Sequence, residues 1–285
     1  MPRVSVLTIT WRLGGFDLLG WGLDRQTFED FDLVVVDALA ARRAEEIARW
    51  AAQRRFSVRH LGDGRAASDL AHRESTAYNT GLAACTGEYV LFLSDWTALT
   101  PWALARHVEA ADRWRQQAAV MADYTVHDLP EHLAWPRYAW INGSDAGAYA
   151  TMLDDLLETS PLWTRSGTVP PASLLSQLGP RTRGRFVPLP TVAMGFVSTR
   201  YTHLKNEMYP RAVLEAAGGF DLAYDGAHGY MDADMGQRLA AHGLRFWSDP
   251  DATATHVDPR RWMRTMRNDR WRENEARLLR VQGAP

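Results

Sequence analysis

The stretch YVLFLSDWTAL, residues 89–99, is an apolar run that ends abruptly at Ser94, Asp95 and Trp96. A continuous apolar run of this length predicts a strand that is buried on both faces, as in a parallel sheet covered by helices. A carboxylate is costly to bury unless a partner compensates its charge. Asp95 is therefore predicted to be a functional group at the end of a core strand.

The first 123 residues alternate strand and helix patterns. Strand patterns lie at residues 4–10, 31–37, 56–61, 89–95 and 118–123, and helix patterns lie at residues 16–27, 41–53, 70–84 and 100–117. In the last helix, Thr100 is the expected N-cap and Pro101 the first helical residue. Strands separated by helices predict right-handed crossovers and an α/β fold with a mostly parallel, Rossmann-like sheet flanked by helices. Ligands bind such sheets beyond the carboxyl ends of the strands, where Trp11, Asp37 and Asp95 fall.

The rest of the chain has two different parts. Residues 124–190 carry scattered Pro, Gly, Ser and Trp with weak periodicity, which indicates an irregular insertion that shapes a pocket rather than a separate domain. Regular patterns return with a strand at 191–199, helices at 209–219 and 230–243, and two short strands around a turn at 244–257. A C-terminal helix is predicted from residue 258 onward.

Composition excludes several classes of protein. The 285-residue chain is 46% hydrophobic, so it can build a large core, and its net charge of −2 gives no general attraction to nucleic acids or anionic membranes. Cys85 is the single cysteine, which excludes an internal disulfide and a cysteine-rich zinc site. No apolar run is long enough to span a membrane, and the start MPRVSVLTIT lacks the layout of a signal peptide. We therefore expect a soluble, cytoplasmic protein.

Several segments resemble the family 2 glycosyltransferases of the GT-A fold, in the order and spacing of that family. The first half contributes PRVSVLTITWR, RQTFEDFDLVVVD and RESTAYNTGLAACTGEYVLFLSD, and the second half contributes GGFD, an acidic pair in YMDAD, RLAAHG and a histidine after a short strand. The resemblance covers residues 2 to about 120 and 192 to about 256. It implies an inverting transfer of sugar from a nucleoside diphosphate sugar to an acceptor hydroxyl.

The resemblance also implies which function each part of the chain has. Residues 1–123 would be the nucleotide-binding half of a single GT-A domain and residues 124–190 the insertion. Residues 191–257 would be the acceptor and catalytic half, followed by a basic C-terminal helix at 258–285.

A divalent cation, Mn²⁺ or Mg²⁺, is the implied cofactor, because such a cation neutralises the charge of the leaving diphosphate. Asp95 matches the last aspartate of the family's Asp-x-Asp motif, and His256 matches its distal histidine ligand. Ser94 stands where the family usually has another acid. A lone histidine at this position would otherwise be interpreted as the cap of a surface strand.

Donor binding is implied for residues at the ends of the first strands and on the helix before Asp95. Trp11 matches an aromatic ring that stacks on the base, which does not select one base over another. Asp37 matches the first of two acids that hold the nucleoside, and Ala38 replaces the second. UDP is the expected nucleotide. Arg73 also allows the simpler interpretation of a solvated helix-surface charge. The implied donor-binding residues are Thr10, Trp11, Asp37, Arg73, Asn79, Ser94 and Asp95.

Asp232 matches the aspartate of the family's Glu-Asp pair, with Met231 in place of the glutamate, and is the implied general base. Asp234 is the alternative base. Both acids also suit the positive end of the following helix without any catalytic role. Sugar or acceptor contacts are implied for Trp96, Asn206 and Glu207.

The segment DPRRWMRTMRNDRWRENEARLLR, residues 258–280, carries eight arginines and two tryptophans against four acids. Three interpretations stay open: a closing element that brings arginine to the diphosphate, a platform for a nucleic-acid backbone, or an amphipathic helix that packs Trp262, Met266 and Leu278 on the body.

The predicted function is a metal-assisted glycosyltransferase, whose acceptor is a saccharide, a natural product, a protein or a hydroxylated base in DNA. The alternative from another class is a non-catalytic protein that binds sugar nucleotides or glycans, which would suit the departures at Ser94, Ala38 and Met231. A nucleotidyltransferase is disfavoured, because the chain lacks an N-terminal glycine-rich phosphate loop followed by lysine.

Overall fold

The computed structural model describes residues 1–11, 14–64, 73–128, 195–196, 202–227, 229–258 and 271–281. The predicted insertion therefore lies outside the described residues from 129 onward. The same holds for most of the predicted strand at 191–199 and for residues 259–270 of the basic segment.

Strands and helices alternate through the first half of the described chain. The strands are β1 (Val4–Thr10), β2 (Phe31–Asp37), β3 (Ser57–Gly62), β4 (Tyr89–Leu93), β5 (Thr97–Leu99), β6 (Ala118–Asp128), β7 (Gly195–Phe196), β8 (Asn206–Pro210) and β9 (Arg245–Asp258). The helices are α1 (Phe16–Asp24), α2 (Ala40–Ala51), α3 (Glu74–Ala84), α4 (Ala103–Arg113), α5 (Arg211–Ala216), α6 (Met231–Ala241) and α7 (Trp271–Val281), with a short 3₁₀ helix at Leu222–Tyr224. None of the helices described is both long and apolar enough to cross a bilayer.

The strands form one sheet in the order β3-β2-β1-β4-β8-β6-β9-β5, and β7 pairs with β9 off this path. The four strands β3, β2, β1 and β4 are parallel, as predicted. Beyond β4 the sheet is mixed, because β8 runs antiparallel to both β4 and β6, while β6 and β9 are parallel. The predicted α/β fold is thus confirmed, and its parallel pairs lie among β1 to β4 and between β6 and β9.

Two sequence predictions about elements are wrong in detail, and one strand was not predicted. The segment around Asn206 was assigned no element, and it forms the strand β8 in the middle of the sheet. The two short strands predicted within 244–257 are one long strand, β9 (Arg245–Asp258), whose register with β6 shifts between Asp249 and Ala254. Helix α4 begins at Ala103, and Thr100 does not cap it, because the Thr100 hydroxyl donates to the Thr253 carbonyl at 3.1 Å.

Two hydrophobic clusters cover the two faces of the sheet. Alternate residues of β1 divide between them, with Val4 and Val6 in one cluster and Leu7 and Ile9 in the other. Helices α1, α2 and α4 pack on the first face, and α3, α5 and α6 pack on the second. This double cover explains why the core strands read as continuous apolar runs.

Close packing of α1 fixes the short strand β5, which directly follows the Asp95 turn. A Cβ atom added at Gly22 would lie 2.7 Å from the Leu99 backbone nitrogen, so only glycine allows this approach. Gly15, at φ +87°, lies in the same way over the ring of Trp96. The start of α1 therefore covers the turn that carries the predicted metal ligand.

Candidate active site

Three strands bring their terminal polar residues together at one edge of the sheet. Thr10 and Asp37 are register partners at the ends of β1 and β2. The Thr10 hydroxyl donates to Oδ2 of Asp95, just beyond β4, at 2.9 Å. Ser94 is partly buried, with its hydroxyl 3.5 Å from the other Asp95 oxygen. Trp11, partly buried, follows β1 at the same edge and packs against the second core cluster.

The pairing of β5 with β9 brings His256 to this edge from the far end of the chain. His256 is the register partner of Thr97, and its Nδ1 lies 3.0 Å from the Thr97 hydroxyl. One step along, the Val257 amide donates to the Trp96 carbonyl at 2.8 Å. Because Thr97 is only two residues from Asp95, the two predicted metal ligands share one corner of the site. Both are buried, at 3% and 5% exposure.

The chemistry of this pair suits a divalent cation that is held jointly with a ligand. Carboxylate oxygen and imidazole nitrogen are both accepted by Mn²⁺, and Mg²⁺ prefers the oxygen. Within the described ranges, no group of three or more His, Cys, Asp or Glu side chains gathers to hold a metal. A cation at Asp95 and His256 would therefore need further oxygen ligands from water or from a bound phosphate.

The Asp37 carboxylate is held by hydrogen bonds from neighbouring residues, which disfavours its predicted contact with the nucleoside. The Arg43 guanidinium donates to both carboxylate oxygens, at 2.8 and 2.7 Å, and the Leu39 amide donates at 2.8 Å. His60 Nε2 lies 2.9 Å from Oδ2. Burial alone would raise the pKa of Asp37, but these partners outweigh burial and lower it to about 2. Direct nucleoside binding by Asp37 is therefore not what this geometry favours.

Arg43 and His60 are site residues that sequence reasoning missed. Arg43 is 2% exposed, it has a non-helical φ of −134° within α2, and its Nη2 lies 3.5 Å from the Thr10 hydroxyl. A polar chain thus runs from Asp37 through Arg43 and Thr10 to Asp95. The only signal in the sequence was the arginine pair in AARRAEE, which is also typical of a solvated helix surface.

Helix α3 is held at its N-terminus by a loop from the second half of the chain. Asp225 accepts from the amides of Ser75 and Thr76 at 2.9 and 3.2 Å, directly after Arg73 at the N-cap. The Asn79 amide group is bonded to the backbone nitrogen and oxygen of Phe220, at 2.7 and 2.8 Å. Asn79 therefore anchors the GGFD turn, and its predicted contact with the donor stays a prediction.

The two acids of YMDAD have different environments. Asp232 lies in the first turn of α6 with its side chain 24% exposed, and its Oδ2 is 4.0 Å from His203 Nδ1. Asp234 is 2% exposed and accepts a 2.8 Å hydrogen bond from Arg238, which also donates to two carbonyls of the turn after α5. This arrangement favours Asp232 over Asp234 as a group that reaches a substrate.

Two residues predicted to contact sugar are fully buried and have other neighbours in the structure. Asn206 is fully buried, and its side chain lies 3.0 Å from His107 Nε2 and donates to the Ala252 carbonyl at 2.7 Å. Trp96 is also fully buried, with its ring beneath Gly15. Both side chains hold strands and turns in place and offer no surface to a sugar here.

Glu207 lies on β8 in the interior of the site. The Tyr209 hydroxyl donates to its Oε2 and the His203 amide to its Oε1, both at 2.7 Å. Burial raises the pKa of Glu207 to about 7, the nearby charge of Asp232 adds to this effect, and the hydrogen bonds oppose it. Glu207 is thus a buried group that holds its proton near neutral pH, rather than a surface partner for a hydroxyl.

Tyr78 shows that the acids of the two halves share one electrostatic environment. Burial raises the pKa of the Tyr78 hydroxyl, and the charges of Asp95, Glu207 and Asp232 act on it in the same direction. Acids from the turn after β4, from β8 and from α6 therefore act electrostatically on one buried tyrosine.

The fold resembles those of solved structures, although neither comparison of the sequence finds a match. No protein-family model matches the chain. No curated protein sequence matches it either. Among solved structures, S. aureus TarS 1-349 in complex with UDP-GlcNAc is similar with a TM-score of 0.58 and 14% identity, over 90% of this chain and 59% of that chain. TarS 1-349 without a stated ligand is similar with a TM-score of 0.60 and 14% identity, over 99% and 64% of the two chains.

A second enzyme extends the comparison. The mannosyltransferase PcManGT from Pyrobaculum calidifontis, in complex with GDP-Man and Mn²⁺, is similar with a TM-score of 0.57 and 16% identity, over 98% of this chain and 62% of that chain. The chain thus spans about three fifths of the length of these structures. Their shared architecture shows that the chain has the GT-A fold of glycosyltransferases, as the sequence predicted.

The buried pair of Asp37 and Arg43 should stabilise the fold strongly. Arg43→Met leaves a buried carboxylate uncompensated, so we expect a loss of about 3–5 kcal/mol in the free energy of unfolding. The double variant Asp37→Leu/Arg43→Met should lose less than Arg43→Met alone. The control is Arg49→Met on the same helix, which breaks an exposed 3.9 Å ion pair with Glu45 and should cost below about 0.5 kcal/mol. Urea unfolding of all variants measures this, and equal losses at Arg43 and Arg49 would contradict it.

Glu207 should make stability depend on pH. Its carboxyl is ionised in the unfolded chain above its ordinary pKa of 4.5, whereas the folded chain keeps the proton up to about pH 7. Rising pH between these values therefore removes stability. As the pH rises from 5 to 8, the free energy of unfolding of Glu207→Gln should therefore increase relative to that of the wild type, by at most on the order of 3 kcal/mol.

Thermal unfolding across this pH range gives the comparison. Glu215→Gln, at a side chain that is 57% exposed on α5, is the control and should follow the wild type at every pH. A constant difference between Glu207→Gln and the wild type would show that Glu207 is ionised throughout the range.

Proposed function

We propose that this chain is a glycosyltransferase that moves a sugar from a nucleoside diphosphate sugar to an acceptor hydroxyl with inversion. The observation that supports this most is the convergence at one sheet edge of Asp95, His256 and, in the same electrostatic environment, Asp232. The GT-A architecture supplies the context, because TarS and PcManGT with this fold were captured with UDP-GlcNAc and GDP-Man.

Asp95 and His256 would hold a divalent cation, Mn²⁺ or Mg²⁺, together with oxygens of the donor diphosphate. When bound, such a cation supplies charge neutralisation for the leaving nucleoside diphosphate. Thr10 fixes the orientation of Asp95 by its 2.9 Å hydrogen bond, and Thr97 fixes His256 in the same way. Mn²⁺ in the PcManGT complex is consistent with this assignment.

Asp232 would act as the general base. Its partly exposed carboxylate takes the proton of the acceptor hydroxyl while that oxygen forms a bond to the anomeric carbon. The bond from this carbon to the diphosphate oxygen breaks on the opposite face, which inverts the configuration. His203 Nδ1 lies 4.0 Å from Asp232 Oδ2, and burial lowers the pKa of His203, so this neighbour is mainly a neutral imidazole near pH 7.

Recognition of the nucleoside would rely on the end of β1 rather than on Asp37. Trp11 offers a ring for stacking, which accepts any base. Asp37 is held by Arg43 and His60, and Ala38 adds no polar side chain. We propose a UDP-sugar as donor, with base selectivity that is modest compared with a site that uses a free carboxylate.

Donor turnover with site variants tests the proposed function. Purified protein is incubated with Mn²⁺, with UDP-, GDP- and TDP-sugars and with pools of saccharide, small-molecule, protein and hydroxymethylated DNA acceptors, and products are detected by mass spectrometry. Asp232→Asn should lower kcat by about 10²–10⁴-fold, the usual contribution of general base catalysis, with the Kd of the nucleotide unchanged. Asp95→Asn should instead abolish the Mn²⁺-dependent part of nucleotide binding.

The matched control is Asp30→Asn, an exposed aspartate next to the opposite end of β2, which should behave as the wild type. Nucleotide binding without turnover of any donor would contradict the enzyme and support a non-catalytic sugar-nucleotide binding protein. Turnover that survives Asp232→Asn but not Asp234→Asn would move the base to Asp234.

A further inference from the structure

The loop between α5 and α6, described at residues 219–227 and 229–230, leads to Asp232 and has an unusual backbone. Gly219, Gly226 and Gly229 have φ values of +70°, +92° and +92°, and Tyr230 has φ +69° although it carries a side chain. A left-handed conformation at a residue other than glycine is unfavourable and persists only where surrounding contacts enforce it. Contacts outside the loop must therefore hold this path.

Asn274 on α7 supplies a large part of those contacts. It is 4% exposed, and its Nδ2 lies 3.1, 3.2 and 3.1 Å from the carbonyl oxygens of Tyr224, Ala227 and Gly229. One buried amide from the C-terminal helix thus joins three points of the described loop. The three carbonyls span the region where the chain turns toward α6.

The next residue of α7 holds the end of the same loop. The Tyr230 hydroxyl donates to Oε1 of Glu275 at 2.9 Å, which secures the left-handed residue at the N-cap of α6. The Tyr230 carbonyl in turn accepts the first helical hydrogen bond, from the Asp234 amide at 3.0 Å. Leu278, one turn further along α7, is also buried, at 7% exposure.

We propose that Asn274 is a positioning residue for catalysis, and that α7 is therefore a working part of the active site; this rests on the proposed function of Asp232. Asn274 sets the direction in which α6 begins, and Asp232 is the second residue of that helix. A displacement of about 1 Å at a reacting group costs a large part of the rate, because the geometry of attack is lost. Donor binding depends on Asp95, His256 and β1, which α7 does not hold in the described contacts.

The chemistry of Asn274 excludes a purely electrostatic origin of this effect. Its amide is neutral, and the hydrogen bonds described for it go to backbone carbonyl oxygens, so its removal changes no charge in the site. A loss of activity on removing it must then come from geometry. Of the interpretations of the basic segment, packing on the body is the one that Leu278 supports, while Trp262 and Met266 lie outside the described residues.

Kinetics of Asn274 variants test this proposal. Asn274→Ala removes the donors, and Asn274→Asp replaces them by a carboxylate that faces three carbonyl oxygens. Both should lower kcat at least 10-fold with less than a 2-fold change in the KM of the donor. Asn274→Gln, which keeps the amide, should recover part of the loss. The control Leu278→Ala weakens the same helix by an apolar contact and should lower Tm without this loss of kcat.

Amide hydrogen exchange gives a readout that does not need activity. Asn274→Ala should speed exchange in residues 229–235 more than Leu278→Ala does, under conditions where both variants are folded. Unchanged exchange there, or a kcat loss in Asn274→Ala no larger than in Leu278→Ala, would overturn the proposal. If the wild type transfers no sugar, the proposed function fails, and the exchange comparison alone decides whether Asn274 positions the start of α6.

Discussion

The pairing of β5 with β9 is the interaction on which the candidate site depends. Strand β5 is only three residues long, yet it joins the turn after β4 to the far end of β9. Without this pairing, Asp95 and His256 would belong to separate parts of the chain. The pairing is secured from both sides, because α1 covers β5 through Gly22 and β6 runs parallel to β9 on its other edge. Both predicted metal ligands therefore stand on backbone that is held by the core.

A buried polar chain gives the site its second constraint. Asp37, Arg43 and Thr10 connect the ends of β1 and β2 to Asp95 by hydrogen bonds in the interior. Buried ionic groups are tolerated when every member has its partners, and they then fix one arrangement of the surrounding strands. The edge that carries Asp95 is thus held in place by its own contacts. The surroundings of Asp232 differ, since it follows a loop with a left-handed Tyr230 that has contacts from α3 and from α7.

Much of the architecture could be predicted from the sequence, because the sequence patterns that indicate core strands are local. Apolar runs such as 4–10, 31–37 and 89–95 are set by burial on both faces, and each becomes a core strand. The strand β8 was missed, because NEMYP carries two polar residues whose burial is compensated by partners that include His107 and Ala252, far away in sequence, and Tyr209 on the same strand. The same limit applies to the site. The positions of Asp95 and His256 follow from strand ends, whereas the contacts of Asp37 with His60 and of Asn79 with Phe220 join residues that are far apart in sequence.

The convergence of Asp95 and His256 on one cation is the central claim, and pulsed electron paramagnetic resonance of bound Mn²⁺ tests it most directly. The protein is loaded with Mn²⁺ and UDP, and the nitrogen coupling of a histidine ligand is recorded for wild type, His256→Gln and His60→Gln. We predict one histidine coupling that is present in the wild type and in His60→Gln and absent in His256→Gln. A coupling that persists in His256→Gln, or bound Mn²⁺ with no histidine coupling in the wild type, would contradict the account.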